Sequence, residues 1–70
     1  MDVNDRITQQ AITCQRDHGM TDKAMAELLG ISAATYRRRK SGARWRVREC
    51  VALAQALSIS MDALLYPPAP

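Results

Sequence analysis

The tripeptide Gly30-Ile31-Ser32 constrains the fold of this 70-residue chain more than any other feature of the sequence. Glycine tolerates the positive φ of a tight turn, isoleucine can insert into an apolar core, and serine can cap the helix that follows. Residues 21–29 carry apolar side chains at helical spacing before the tripeptide, and residues 33–40 can form a second short helix after it. The pattern therefore predicts two helices joined by a tight turn, which is a helix-turn-helix.

Three further helices are predicted outside this motif. The first spans residues 3–18, because its apolar residues recur at intervals of four, four and three, and Gly19 ends it. A fourth helix is expected over residues 46–57, and Ser60 can cap a last short helix over residues 61–65. The apolar positions are Val3, Ile7, Ala11 and Cys14 in the first helix and Val47, Cys50, Val51, Leu53, Ala54 and Leu57 in the fourth. No strand pattern competes, so the predicted class is all-α with five helices.

One folded domain, residues 1–65, is expected from a chain of this length. The Pro-rich residues 66–70 are interpreted as a tail or the start of a linker, because proline lacks an amide donor and cannot continue a helix. No apolar run is long enough to span a membrane and no signal-peptide pattern opens the chain. We therefore expect a protein of the cytoplasm.

Positive charge is concentrated in one segment, residues 37–48, which we call the basic window. It holds seven of the ten Lys and Arg residues and no acidic residue, so the rest of the chain carries −4 of a net charge of +3. A basic patch on an acidic body is the electrostatic pattern of a protein that binds a polyanion. The alternative for such a run is a solvated face that serves solubility.

Other kinds of site have little support in the sequence. Cys14 and His18 are four residues apart on one helix and Cys50 could join them, but three ligands make a poor structural metal site. We expect both cysteines to be buried apolar residues and His18 to lie at a helix end. No phosphate-binding glycine loop, carboxylate pair or nucleophile triad stands out. The prediction is a non-enzyme without cofactor, metal or small-molecule substrate.

The segment MTDKAMAELLGISAATYRRRKSG, residues 20–42, resembles the helix-turn-helix DNA-binding domains of the Cro and phage-repressor type, the lambda-repressor-like or XRE-type domains. ALSISMDALL, residues 56–65, is similar to the junction of the last two helices in that family. The resemblance implies a five-helix domain whose second motif helix, residues 32–40, lies in the major groove of double-stranded DNA. It also implies a protein associated with the nucleoid in the cytoplasm of a bacterial host.

The resemblance also implies a set of DNA-contacting residues. Arg37 and Arg38 are the candidates for bidentate contact with guanine, while the two alanines can offer only apolar contact with a thymine methyl group. The candidates for base contact are Ala33, Ala34, Thr35, Arg37 and Arg38. The candidates for contact with the DNA backbone are Thr21, Lys23, Ser32, Lys40, Ser41, Arg44 and Arg46.

Four residues depart from the family pattern or need separate interpretation. Arg39 occupies a position that is usually apolar, and we expect its stem to lie over Tyr36 or the fourth helix while its charge turns outwards. Lys40 is expected to contact a phosphate or face solvent. Asp22 stands where a phosphate-binding Gln is frequent, and its charge would repel a phosphate. Trp45 is expected to anchor its loop on the fourth helix, with contact to DNA or a second subunit as the alternative.

These features predict a sequence-specific transcriptional regulator that represses by occluding an operator, although activation is equally compatible with the fold. A homodimer on a pseudo-palindrome is expected, because one domain covers a half-site. Its self-contact is assigned to apolar residues expected to be exposed near the C-terminus, Met61, Leu64, Leu65 and Tyr66. The alternatives are an antitoxin, the N-terminal domain of a longer repressor, or a protein-interaction module that does not bind DNA.

Overall fold

A computed structural model describes residues 2–66 as five α-helices, with no strand among them. The helices are α1 (Val3–Asp17), α2 (Asp22–Leu29), α3 (Ala33–Lys40), α4 (Val47–Leu57) and α5 (Met61–Leu65). The predicted all-α, five-helix class is confirmed, and each predicted end lies within one residue of the observed one. Apart from Tyr66, the predicted Pro-rich tail lies outside the described residues.

Side-chain caps explain where four of these helices begin. In each case a side-chain oxygen accepts a hydrogen bond from the backbone N–H three residues later, which satisfies a donor that has no partner inside the helix. The pairs are Asp2 and Asp5 (2.8 Å), Thr21 and Ala24 (3.1 Å), Ser32 and Thr35 (3.0 Å), and Ser60 and Ala63 (3.1 Å). Gly30 adopts a φ of 73° between α2 and α3, as the tight turn requires.

The core lies where the five helices meet, and its largest fully buried side chains are Tyr36, Met25, Leu53 and Leu64. Tyr36 anchors α3: its hydroxyl donates to Gln15 Oε1 of α1 at 2.7 Å. Burial raises the pKa of Tyr36 to about 12, so the phenol keeps its proton at neutral pH and remains a donor. Both cysteines are buried and free, as expected.

Some apolar residues of α4 and α5 differ from the prediction in how far they are exposed to solvent. Val47 and Val51 are 74% and 39% exposed, because they lie at the edge of the α4 stripe that is buried. The predicted exposure of four apolar residues near the C-terminus is wrong for Leu64, which is fully buried, and Met61 and Leu65 are partly buried against the core. Tyr66 is exposed as predicted. The caps of α4 and α5 turn the chain back so that α5 covers α1 and α4.

Trp45 packs against α1 through specific polar contacts. Its indole N–H donates to Thr8 Oγ1 at 2.8 Å, and its backbone N–H donates to Asn4 Oδ1 at 2.9 Å. The ring is 9% exposed and meets the Tyr36 ring edge-on, with centroids 6.3 Å apart. The expected anchoring role is correct, but the polar anchor is α1 rather than α4, because the indole N–H needs an acceptor and Thr8 provides it.

Arg39 forms a buried ion pair with Glu49 of α4. Its Nε lies 2.8 Å from Glu49 Oε1 and a terminal nitrogen lies 3.1 Å from Oε2, and the two side chains are 12% and 3% exposed. Glu49 Oε1 also accepts from the backbone N–H of Arg46 at 3.0 Å. The prediction that the charge of Arg39 turns outwards is therefore wrong, because a bidentate carboxylate partner offsets the cost of burying it.

Removing one member of this pair should destabilise the protein strongly. We expect Arg39→Met to cost roughly 3 kcal/mol or more, because the Glu49 carboxylate is left buried without its partner. The double variant Arg39→Met/Glu49→Leu should recover most of that loss, since no buried charge remains. Urea unfolding of both variants measures this, and a double variant less stable than the single one contradicts it.

Glu49 should also make stability depend on pH. Burial raises the pKa of its carboxyl, but the hydrogen bonds from Arg39 and from the Arg46 backbone outweigh burial, so the pKa lies below its ordinary value of 4.5. A lowered folded-state pKa contributes stability that is complete above pH 4.5 and is lost as the pH falls through the folded value.

The free energy of unfolding should accordingly fall below pH 4.5 in the wild type and fall less steeply in Glu49→Gln, which cannot titrate. Urea unfolding at a series of pH values from neutral downwards measures both slopes. Parallel curves for the two proteins would show that Glu49 does not carry this dependence.

Candidate nucleic-acid interface

The rotation of α3 decides which of its side chains reach solvent. Tyr36 is buried and its neighbours Arg37 and Arg38 are exposed. Of the two alanines at the start of the helix, Ala34 is exposed and Ala33 is half-buried against the core. The exposed face of α3 therefore combines a small apolar surface at its N-terminus with two guanidinium groups further along.

A hydrogen-bonded group links the cap of α3 to Arg38. Thr35 Oγ1 accepts from the Ser32 hydroxyl at 2.9 Å and from a terminal nitrogen of Arg38 at 3.0 Å. Since residues three apart on a helix lie on one face, these three side chains form one surface. The Arg38 guanidinium lies along the helix in this arrangement and keeps other N–H donors for a partner.

Two cations at the start of α4, Arg46 and Arg48, extend this surface, whereas Arg44 lines a separate cleft beside the start of α1. A cleft of about 410 Å³ opens between α3 and the start of α4, and Arg46 and Arg48 flank it. Its lining residues are Ile31, Ser32, Thr35, Arg38, Arg39, Arg46, Arg48 and Glu49. Arg44, Arg46 and Arg48 are all exposed. Arg48 belongs to the basic window but is absent from the contact residues predicted above, and only the fold places it beside Arg38.

Lys40 and Asp22 form an ion pair at the other end of α3. Lys40 Nζ lies 2.6 Å from Asp22 Oδ1 and 5.0 Å from the centroid of the Tyr36 ring. Gln15 Nε2 donates to the same Asp22 oxygen at 2.8 Å. The hydrogen bond from Lys40, followed by that from Gln15, lowers the pKa of Asp22 below its ordinary value.

This pair corrects the expectations for both residues. Lys40 is not a plain solvent-facing charge, because its ammonium group already contacts a carboxylate. The repulsive charge assigned to Asp22 is partly neutralised within the protein, since its partner is only 2.6 Å away. Helix α3 is thus joined to α2 by one ion pair and to α4 by another, Arg39 with Glu49.

The other predicted backbone-contact residues lie at exposed positions around α3. Thr21 and Lys23 are at the start of α2, and Thr21 Oγ1 is used as its cap. Ser41 follows α3, and its hydroxyl donates to the carbonyl of Arg37 at 3.1 Å. Ser32 is also exposed, at the start of α3. Contact of these four residues with a DNA backbone stays a prediction.

Cys14 and His18, which have a spacing that metal ligands can use, are in contact at the end of α1. Cys14 Sγ lies 3.9 Å from His18 Nδ1, and that nitrogen lies 2.9 Å from the carbonyl oxygen of Cys14. Within residues 2–66, no three side chains of the metal-binding types come together. None of the helices described is both long and apolar enough to cross a membrane.

Sequence reasoning missed several polar residues that organise this surface. Glu49 stands three residues after Arg46, the spacing of a capping box, which could have drawn attention to it. Gln15 and Asn4 had no such signal, because their partners are 7 to 41 residues away along the chain. Contacts at such separations follow from the packing of helices rather than from local pattern.

Comparison with known proteins identifies the segment that carries this geometry. Residues 16–49 match the family model of the antitoxin Xre-like helix-turn-helix domain. No curated protein and no solved structure matches the chain. The matched segment runs from the last residues of α1 to the first turn of α4, and so includes α2, the tight turn, α3 and the whole basic window. This match and the all-helical fold are consistent with an XRE-type helix-turn-helix domain over these residues.

Proposed function

We propose that this protein is a sequence-specific regulator of transcription that binds double-stranded DNA in the manner of a phage repressor or Cro protein. The observation that carries the proposal is the face of α3, where Arg37 and Arg38 are exposed while Tyr36 is buried beside them. A helix held in this way can enter the major groove without losing its contacts to the core.

Base recognition is assigned to the exposed face of α3. Arg37 and Arg38 can each bond to O6 and N7 of a guanine, which discriminates against another base by roughly 1–3 kcal/mol. Thr35, which holds Arg38 at 3.0 Å, restricts the directions that this guanidinium can take. Ala33 and Ala34 allow close approach and favour a thymine methyl group.

Contacts with the DNA backbone are assigned to the residues around that face. Arg44, Arg46 and Arg48 follow α3 in the chain, are exposed and can bind phosphates. Thr21, Lys23, Ser32 and Ser41 provide further donors. Lys40 can bind a phosphate only in competition with Asp22, which holds its ammonium group in the free protein.

The proposed mechanism is occlusion of a promoter by a homodimer on a pseudo-palindromic operator. One helix-turn-helix covers a half-site, and two copies related by a two-fold axis reach half-sites one helical turn apart. Activation through contact with polymerase uses the same DNA-binding surface. Burial of Leu64 removes it from the self-contact surface, and exposed Tyr66 remains available to it.

An antitoxin role is the second candidate, because the matching family model is named for antitoxins. Such a protein would bind a toxin as well as its own operator, and co-purification with the product of a neighbouring gene would separate the two roles. The N-terminal domain of a longer repressor would contact DNA in the same way. The alternative of an interaction module that does not bind DNA was suggested by the unusual residues Arg39 and Asp22. It loses support, since both residues form ion pairs inside the protein.

Selection of bound sequences from random double-stranded DNA tests the proposal. We expect an enriched pseudo-palindrome and a logarithm of affinity that falls linearly with the logarithm of salt concentration, because bound phosphates release counterions. Measuring the mass of the complex gives the number of protein copies. Failure to enrich any sequence, with only weak salt-labile binding, would overturn the regulator proposal.

The division between base and phosphate contacts gives a second test on the selected site. Arg37→Ala or Arg38→Ala should relax the preference at one base position per half-site, at a cost of roughly 1–3 kcal/mol on the selected sequence. Arg44→Ala should weaken selected and random DNA alike, because phosphates carry no sequence information. Equal losses on both kinds of DNA for all three variants contradict the division.

The ion pair beside α3 predicts a gain of affinity. Asp22→Asn removes a negative charge close to the DNA and frees Lys40 for a phosphate, so affinity for any DNA should rise and its salt dependence should steepen by about one ion. Glu27→Gln, a change of equal charge at an exposed position on the same helix, is the matched control. If the two variants behave alike, the effect is one of net charge and the release of Lys40 is not involved.

A further inference from the structure

We infer that Asn4, at the start of α1, is a positioning residue for the basic loop, residues 42–46, and that it sets where Arg44 meets DNA. The inference rests on the proposed DNA binding, and it gives a role in that binding to a residue outside the helix-turn-helix. Asn4 is 38 to 41 residues away in sequence from the loop atoms that it contacts.

The Asn4 amide holds the loop on both sides of Arg44. Its Oδ1 accepts from the backbone N–H of Trp45 at 2.9 Å, and its Nδ2 donates to the carbonyl oxygen of Ala43 at 3.2 Å and lies 3.5 Å from that of Gly42. One planar group thus bonds to the residues immediately before and after Arg44. The partners fix the orientation of the amide, since a carbonyl needs a donor and an N–H needs an acceptor.

Thr8, one turn further along α1, holds the same loop through the Trp45 side chain. Its Oγ1 accepts from the indole N–H at 2.8 Å, and its hydroxyl donates to the backbone carbonyl of Asn4 at 3.1 Å. The Trp45 ring in turn meets the ring of Tyr36, the buried residue of α3. The loop is therefore held on α1 by four side-chain hydrogen bonds, and its Trp45 ring packs against Tyr36 of α3.

Arg44 itself has an exposed side chain with no hydrogen bond or ion pair to any of the residues described. The position from which its side chain can contact a phosphate is therefore set by the loop backbone, and Asn4 holds that backbone. A loop that is fixed before binding loses less entropy when it contacts DNA. Loss of the Asn4 amide should let the loop move and so weaken the phosphate contact of an arginine that Asn4 never touches.

A double-mutant cycle between Asn4 and Arg44 tests this coupling on the DNA site selected above. Arg44→Ala should weaken binding roughly fivefold in the wild type, as expected for one charged contact, and less than about twofold in Asn4→Ala. Asn4→Ala alone should weaken selected and random DNA alike and lower the salt slope by about one. A cycle with Arg38→Ala should be additive, because the loop does not position that residue.

Gln9→Ala, an exposed position on the same helix, is the control and should leave affinity unchanged. Thermal unfolding must show that each variant is folded at the assay temperature. If Asn4→Ala is unfolded, Thr8→Val takes its place in the double-mutant cycle. Additive losses with Arg44, or wild-type affinity for Asn4→Ala, overturn the positioning role alone. A wild-type protein that binds no DNA overturns the proposed function and this role together.

Discussion

The burial of Tyr36 fixes the orientation of α3, and the rest of the candidate interface depends on it. Its ring is inaccessible to solvent, its hydroxyl donates to Gln15 of α1, and the ring contacts Trp45 of the basic loop. A helix of eight residues has little stability of its own, so it needs tertiary contacts to hold one rotation. Tyr36 supplies them and thereby turns Arg37 and Arg38 outwards.

The fold divides the cations of the basic window between two uses. Arg39 and Lys40 are bound to carboxylates of α4 and α2, so they hold α3 in place at both of its flanks. The exposed arginines, Arg37, Arg38, Arg44, Arg46 and Arg48, remain available to a partner. A small domain can therefore be stable despite this dense run of positive charge, because the two cations that pack against other helices are paired with carboxylates.

Helix α1 contributes to the same surface from outside the matched motif. Gln15 orients Tyr36 and Asp22, while Asn4 and Thr8 hold the loop that carries Arg44. The helix-turn-helix thus supplies the proposed contacts, and the preceding helix supplies much of their geometry. Both proposed roles, repressor and antitoxin, would require the same positioning, since phosphate contacts fix the register and orientation of a protein on DNA.

The sequence by itself determined the class and the helix boundaries, and it predicted where the candidate interface lies. These features are local: capping residues such as Thr21 and Ser32, the glycine of the turn and the spacing of apolar residues act within a few positions. Only the tertiary structure decided the partners of Arg39, Lys40, Asp22 and Trp45, and it corrected the expected exposure of Leu64 and of the Arg39 charge. Each of those contacts joins residues brought together by helix packing, and a charged or aromatic side chain has many possible partners until the packing selects one.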